Sequence, residues 1–280
     1  MIKGRRWLAG TAALALLTSY AAAADAQSRA DCERQYTPQR AQEGKDVIWQ
    51  PIEDSMVGRM LEMAKVTAAD TVYDLGSGDG KIVIAAAKQF GARGVGIEYD
   101  AGLVEHSRCL ATAEGVAERV ELVQGDLFET DFSDATVVTL YLTPRVNARL
   151  LPTLLAMKPG TRVASYSFPF ADWEPDAQID SFGDGSAYLW IVPANAAGAW
   201  TFRNIDTGEA FELELEQAFQ KLAGVAGGSR VAGSLRGDEL ELAFTQGAEE
   251  VRVEGVVEGD RIVATVTRGE TSARYAGTRH

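Results

Sequence analysis

A chain of 280 residues, 46% hydrophobic and 24% charged, can bury one sizeable core and a second small one, which excludes a disordered or low-complexity protein. Its 40 acidic against 27 basic residues give a net charge of −13. Such a surface repels phosphate backbones and attracts cationic or amine-bearing ligands, so nucleic acid is not an expected partner.

Lys3, Arg5 and Arg6 precede an apolar run from Trp7 to Leu17, which leads to Ala24-Asp25-Ala26, a small-x-small cleavage pattern. The run is well short of the roughly 20 residues a spanning helix needs. Residues 1–26 therefore read as a cleaved secretory signal, with the mature protein exported, in a periplasm, and without a membrane span. Arg5-Arg6 also matches, loosely, a twin-arginine signal, which exports folded protein. Loss of this stretch removes three basic residues and Asp25, taking the net charge to −15. Cys32, which lacks a lipobox before it, and Cys109 leave open either a disulfide or two free thiols.

Residues 27–46 read as a linker. From Val47 helices and strands alternate. "DSMVGRMLEMAKV" places Met56, Val57, Met60, Leu61 and Ala64 on one helical face, with Asp54 or Ser55 as cap. Then follow the strand "TVYDLGS", a helix over "KIVIAAAKQF", the strand "RGVGIEYD", a helix from Leu103 to about Glu114, the strands "RVELVQGDLF" and "ATVVTLYL", a helix near Val146 to Met157, and the strand "RVASYSF". Five strands joined by helical crossovers predict a doubly wound, mostly parallel α/β sheet over residues 47–195. "AQIDSF" and "AYLWIVPA", separated by "GDGS", add an antiparallel hairpin and bring the sheet to seven strands. Beyond residue 196 the turn signals "DTGE", "GGS", "RGDE", "EGDR" and "RGET" break short alternating runs, predicting an antiparallel all-β domain of about six strands, a small barrel or curved sheet, over 196–280.

In "DLGSGDG" the first strand ends at Asp74 and turns through Gly76, Ser77, Gly78, Asp79 and Gly80 into a helix. The glycines allow positive φ and close approach of a ligand to the backbone, as a dinucleotide site also would. Here, however, Lys81 stands where the third glycine of the dinucleotide fingerprint belongs, and Asp79 would repel a diphosphate. Glu98 and Asp126 close the second and third strands. Because ligands of open parallel sheets bind outside the carboxyl ends of the strands, Asp74, Glu98 and Asp126 converge on one crevice. Only His106 and His280 are present, which speaks against a histidine base or a metal cluster.

From about Ile48 to Val192 the sequence resembles the class I S-adenosylmethionine (SAM) dependent methyltransferases, and within them bacterial relatives of the mitochondrial protein-lysine methyltransferases, whose "DLGSGDGR" turn stands here as "DLGSGDGK". The resemblance implies a Rossmann-like fold with SAM as cofactor. It implies that Asp74, Gly76, Ser77, Gly78 and Gly80 hold the methionine part, that Glu98 accepts from the ribose hydroxyls, and that Asp126 meets the adenine amino group with Leu127 flanking the ring. It also implies that Tyr141 to Pro144 line the methyl-transfer site and that Trp49 to Pro51 close over it. Tyr141 and Trp173 are the candidates for aromatic walls favouring a neutral amine. The expected reaction is methyl transfer to an amine acceptor, a protein lysine or a small molecule. The alternatives are an exported adenosyl-binding module without turnover and, more remotely, a nucleotide-dependent dehydrogenase. The β domain is expected to matter for what is methylated and not for cofactor binding.

Overall fold

The structure, a computed structural model, describes residues 28–42, 44–180 and 185–280; the signal segment lies outside them. Five strands, β1 (Thr71–Leu75), β2 (Arg93–Glu98), β3 (Val120–Gln124), β4 (Val137–Leu140) and β5 (Arg162–Tyr166), form the parallel part of a sheet. The hairpin of β6 (Ala177–Ile179) and β7 (Ala187–Ile191) completes the seven-stranded order β3-β2-β1-β4-β5-β7-β6, with β7 antiparallel to β5. Chain direction across the sheet reverses between β1 and β4, and that switch point opens the crevice at the strand ends.

Helices α2 (Asp54–Met63), α3 (Lys81–Phe90), α4 (Ala101–Ala113) and α5 (Pro144–Leu155) cover the sheet. The two buried rows of α3 explain its place between its neighbours. Ile82 and Ala86 join the cluster of Met56, Met60 and Leu61 from α2, whereas Val83 and Ala87 join Val104, Leu110 and Ala111 from α4. Neither Asp54 nor Ser55 caps α2. Glu53 holds the N-cap position without a side-chain bond, and Asp54, in the first turn, pairs instead with Lys81 at 2.9 Å.

The stretch expected as a linker contains α1 (Arg29–Gln35), started by a capping box between Ser28 and Asp31. Its one buried residue, Cys32, is bonded to Cys109 on α4. The disulfide is thus the alternative that the fold adopts.

The C-terminal domain is the barrel of the two expected forms, closed and with eight strands rather than about six. It comprises β8 (Gly198–Asn204), β9 (Ala210–Ala218), β10 (Lys221–Ala226), β11 (Ser229–Arg236), β12 (Glu239–Gln246), β13 (Glu249–Glu258), β14 (Arg261–Arg268) and β15 (Thr271–Arg279), and β15 pairs back onto β8. Inward residues alternate along each strand, and Trp200, Phe202, Phe244 and Tyr275 fill the interior together with aliphatic side chains. Two of the barrel turns lie outside the turn signals read from the sequence. "QGAE" has a single glycine, Gly247, and the β9–β10 turn has none. There Phe219 takes φ 55°, a conformation that costs a bulky residue energy, and its ring stacks on Trp173 at 6.0 Å.

The barrel docks at the amino ends of the parallel strands. Val192 leaves β7 paired to Gly160 and Thr161, just before β5; Ala194 N–H donates to Gly237 O at 2.7 Å, and Gln220 Nε2 donates to Glu174 O at 2.7 Å. The crevice lies at the other end of the same strands.

Candidate active site

A cleft opens at the carboxyl ends of β1, β2 and β4, and it brings together Asp74, Gly76, Ser77, Gly78, Glu98, Asp126, Leu127 and Tyr141. Gly80, the remaining residue of the expected set, sits one step behind the lining as the left-handed N-cap of α3, with φ 74°.

Asp74 is 3% exposed at the end of β1. It lies in register with Thr139 of β4, whose hydroxyl donates to Asp74 Oδ1 at 2.7 Å. Burial pushes this carboxyl up to about 7; the Thr139 bond opposes the rise and the charges of Asp79 and Glu98 add to it. The turn beyond it runs through Gly76 at φ 77° and Gly78 at φ 55°. A Cβ on Gly78 would lie 2.6 Å from Trp49 Nε1, so the Trp49 indole closes directly over this turn. Ser77 Oγ is buried without a hydrogen-bond partner, tucked beside Gly96, so this residue offers the cleft chiefly its backbone.

Glu98 is held by the backbone. Gly78 N–H donates to its Oε2 and Asp100 N–H to its Oε1, both at 2.9 Å. A carboxylate has about four acceptor positions, so about two remain for a ligand's hydroxyl pair. Asp126 accepts from Phe128 N–H at 3.0 Å and forms an ion pair with Lys45. The Lys45 ammonium, first among the causes, holds its carboxyl below the usual carboxylate range. Tyr141 is half-buried, with its ring edge-on to Tyr166 at 4.7 Å, and burial raises its hydroxyl pKa.

Trp173 does not reach the cleft. At 1% exposure it lies among Phe170, Trp190 and Phe219, beneath the barrel contact. His106 is likewise buried in α4, away from the cleft lining.

Three contributors escaped the sequence reading. Thr139 is one more residue of an apolar strand until its register with Asp74 is known. Gln42 and Lys45 fall in the supposed linker, yet Gln42 Nε2 reaches Asp100 at 3.3 Å and the Tyr36 hydroxyl at 2.8 Å. Only the short interval from Lys45 to "WQP" hinted that this stretch closes over the cleft as well.

Six acidic and two basic side chains line the cleft, a field that opposes a diphosphate and suits a positively charged ligand. SAM, with its sulfonium and ammonium groups, fits this set: the left-handed glycines leave room for close backbone approach, Glu98 presents fixed acceptors for a ribose, and Asp126 with Leu127 offers an acceptor beside an apolar wall.

Comparison with known proteins agrees. Residues 74–177 match the ANTKMT methyltransferase domain family. A protein-lysine N-methyltransferase of Saccharolobus islandicus (strain REY15A) is 41% identical over 151 residues, which is 52% of this chain and 94% of that protein. The adenine nucleotide translocase lysine N-methyltransferase of Mus musculus is 36% identical over 129 residues; the match covers 45% of this chain and 55% of the mouse protein, less than two thirds of its length. A crystal structure described as an RNA methyltransferase from Salinibacter ruber, in complex with S-adenosyl-L-homocysteine (SAH), is 52% identical, with a TM-score of 0.51, over 52% of this chain and 95% of that one. The cofactor is SAM, and the chain belongs to the class I SAM-dependent methyltransferases, in the family that includes the protein-lysine N-methyltransferases.

Proposed function

We infer that this enzyme methylates the ε-amine of lysine in a protein substrate. The observation that carries the reading is the pairing of an acidic cleft with the half-buried Tyr141, and the Saccharolobus relative, named a protein-lysine N-methyltransferase, supports it. SAM supplies an activated methyl group when bound, so the protein's task is to orient the acceptor and exclude water. A free lysine has a pKa of about 10.4 and must lose its proton before it can attack. The acidic rim gathers the cationic side chain, and the apolar wall of Tyr141, Leu142 and Val146 favours the neutral amine. Within this reading Asp74, Gly76, Ser77, Gly78, Gly80, Glu98, Asp126 and Leu127 bind the cofactor, and Tyr141 walls the transfer site.

A second reading, RNA methylation, comes from the description of the Salinibacter structure. The net charge of −13 weighs against it, because duplex and single-stranded RNA both require phosphate neutralisation. Export from the cytoplasm is also proposed. The Cys32–Cys109 bridge supports it, since disulfides persist chiefly in oxidising compartments.

The test is incubation of the purified protein with methyl-labelled SAM and, separately, periplasmic protein, cytoplasmic protein and total RNA. Label recovered as methyl-lysine from a protein band is the expected result. Label confined to RNA, or to small molecules, overturns the lysine reading.

A further inference from the structure

The segment that covers the cofactor cleft is anchored at its far end by a covalent bond. From α1 the chain runs through residues 36–42 and 44–51 to α2, and its backbone closes on itself where Ala41 N–H donates to Trp49 O at 3.0 Å and Trp49 N–H donates to Gln42 O at 2.8 Å. Trp49 lies over Gly78, Lys45 pairs with Asp126 and Gln42 bonds Asp100, so the strap touches both ends of the cleft. Besides the disulfide, its leading end is held to α4 by the half-buried Tyr36, whose ring lies 5.6 Å from that of His106 and packs on Gly102, and by surface contacts. Six of the seven residues of α1 are not buried, and its ion pair to Glu114 is half exposed, the kind worth little. Cys32 is fully buried, while Cys109 is half-buried beside a surface cleft that it lines with Gln35, Tyr36 and His106, so a small dithiol has a route to the bond.

We propose that the Cys32–Cys109 disulfide is a redox latch on cofactor binding: oxidised, it pins α1 to α4 and holds the strap over the cleft; reduced, it lets α1 leave and the strap open. The reductant is a dithiol. Its two thiols give up two electrons and two protons and close to a disulfide, while Cys32 and Cys109 gain both and become thiols. A strap fixed at one end only must lose more conformational freedom to close, so the reduced protein binds SAH more weakly, by about tenfold. Linkage makes the effect reciprocal, and SAH protects the disulfide by the same factor. The latch rests on the assignment of this cleft as the SAM site.

The experiment uses the full chain, oxidised and then reduced with dithiothreitol, with the Cys32→Ser/Cys109→Ser variant in parallel. Calorimetry with SAH is expected to show the tenfold loss in both the reduced protein and the variant, and the equilibrium for reduction is expected to shift by an equal factor when SAH saturates the protein. In Lys45→Ala/Trp49→Ala, whose strap has lost its grips, the redox effect should shrink toward onefold. Trypsin reads the strap without the cofactor, and reduction should speed cleavage at Arg40 and Lys45. Equal SAH affinity in both redox states, or unchanged cleavage, overturns the latch, as does loss of the whole thermal transition on reduction, which would make the bond a global staple. Faster cleavage with no SAH binding in either state overturns the cofactor assignment, and with it the latch on cofactor binding, whereas tight but equal SAH binding in both states overturns the latch alone.

Discussion

Asp74 carries the sharpest electrostatic consequence of the fold. Its pKa of about 7 stands above the ordinary 3.8 because burial disfavours the charge. Its contribution to stability is therefore complete below about pH 4 and is lost as pH rises through about 7. Asp74→Asn keeps an oxygen for Thr139 and removes the titration, so the ligand-free variant should melt higher than the parent at pH 8 and equal to it at pH 4; identical melting temperatures at both values would remove Asp74 as a buried titrating group. A cationic ligand reverses the preference and draws out the proton. SAM binding at pH 6 should release protons, seen as a dependence of the heat on buffer ionisation, and Asp74→Asn should abolish that dependence. Glu98→Ala deletes acceptors already fixed by Gly78 and Asp100. Charge-assisted bonds contribute about 1.5 to 3 kcal/mol each and rarely add fully, so SAH affinity should fall by about 2 to 4 kcal/mol in calorimetry, and an unchanged dissociation constant would take Glu98 out of the site. Gly78→Val combines a forced positive φ with a Cβ 2.6 Å from the Trp49 indole; SAH binding should disappear.

At the scale of elements, the α/β domain and the barrel face away from each other's business. The connection through Val192 and Ala194 and the contacts at Gly237, Gln220 and Phe219 all lie at the amino ends of the sheet strands, whereas every cleft residue lies at or beyond their carboxyl ends or on the strap. A chain ending near Ala196 should keep SAH affinity within about twofold. It should also lose some thermal stability, because Trp173 then loses the Phe219 ring stacked on it, an interaction worth about 0.5 to 1.5 kcal/mol beyond burial. If such a chain folds and binds no SAH, the barrel belongs to the cofactor site. The same geometry bears on substrate choice: the barrel does not line the cleft, so any influence on what is methylated acts at a distance from the methyl group, by holding part of a large substrate.

For the molecule as a whole, net charge acts on association. Under the proposed lysine reading, a protein at −13 whose cleft carries six acids draws basic substrates through a field that salt screens, with a Debye length of about 8 Å at 0.15 M. Raising the salt from 50 to 300 mM should increase KM for a basic protein substrate several-fold and leave the dissociation constant for SAH nearly unchanged, since the cofactor's contacts are short-range. A KM indifferent to salt would show that the surface charge serves solubility alone.

Much of this was written into neighbouring residues. The glycine turn after Asp74 is a local device, fixed by which residues tolerate positive φ, and the acids at the ends of β1, β2 and β3 follow from strand periodicity and the convergence of parallel strand ends; hence the α/β fold, the crevice and the resemblance to SAM-dependent methyltransferases were legible directly. Most of the barrel turns were legible for the same reason, glycine in the loop; the β9–β10 turn, which has no glycine, was not, and there Phe219 takes positive φ with its ring stacked on Trp173 of the other domain. Other features depend on residues far apart in the chain, which no local pattern encodes. Cys32 meets Cys109 across 77 positions, Lys45 reaches Asp126 across 81, Thr139 finds Asp74 across 65, and β15 closes on β8. Trp173 shows the converse: its aromatic character suits a substrate wall, but packing against Trp190 and Phe219 decides that it is core. Periodicity and turn chemistry act over a few residues and specify the elements; which side chains face one another across the crevice is decided only when the elements pack.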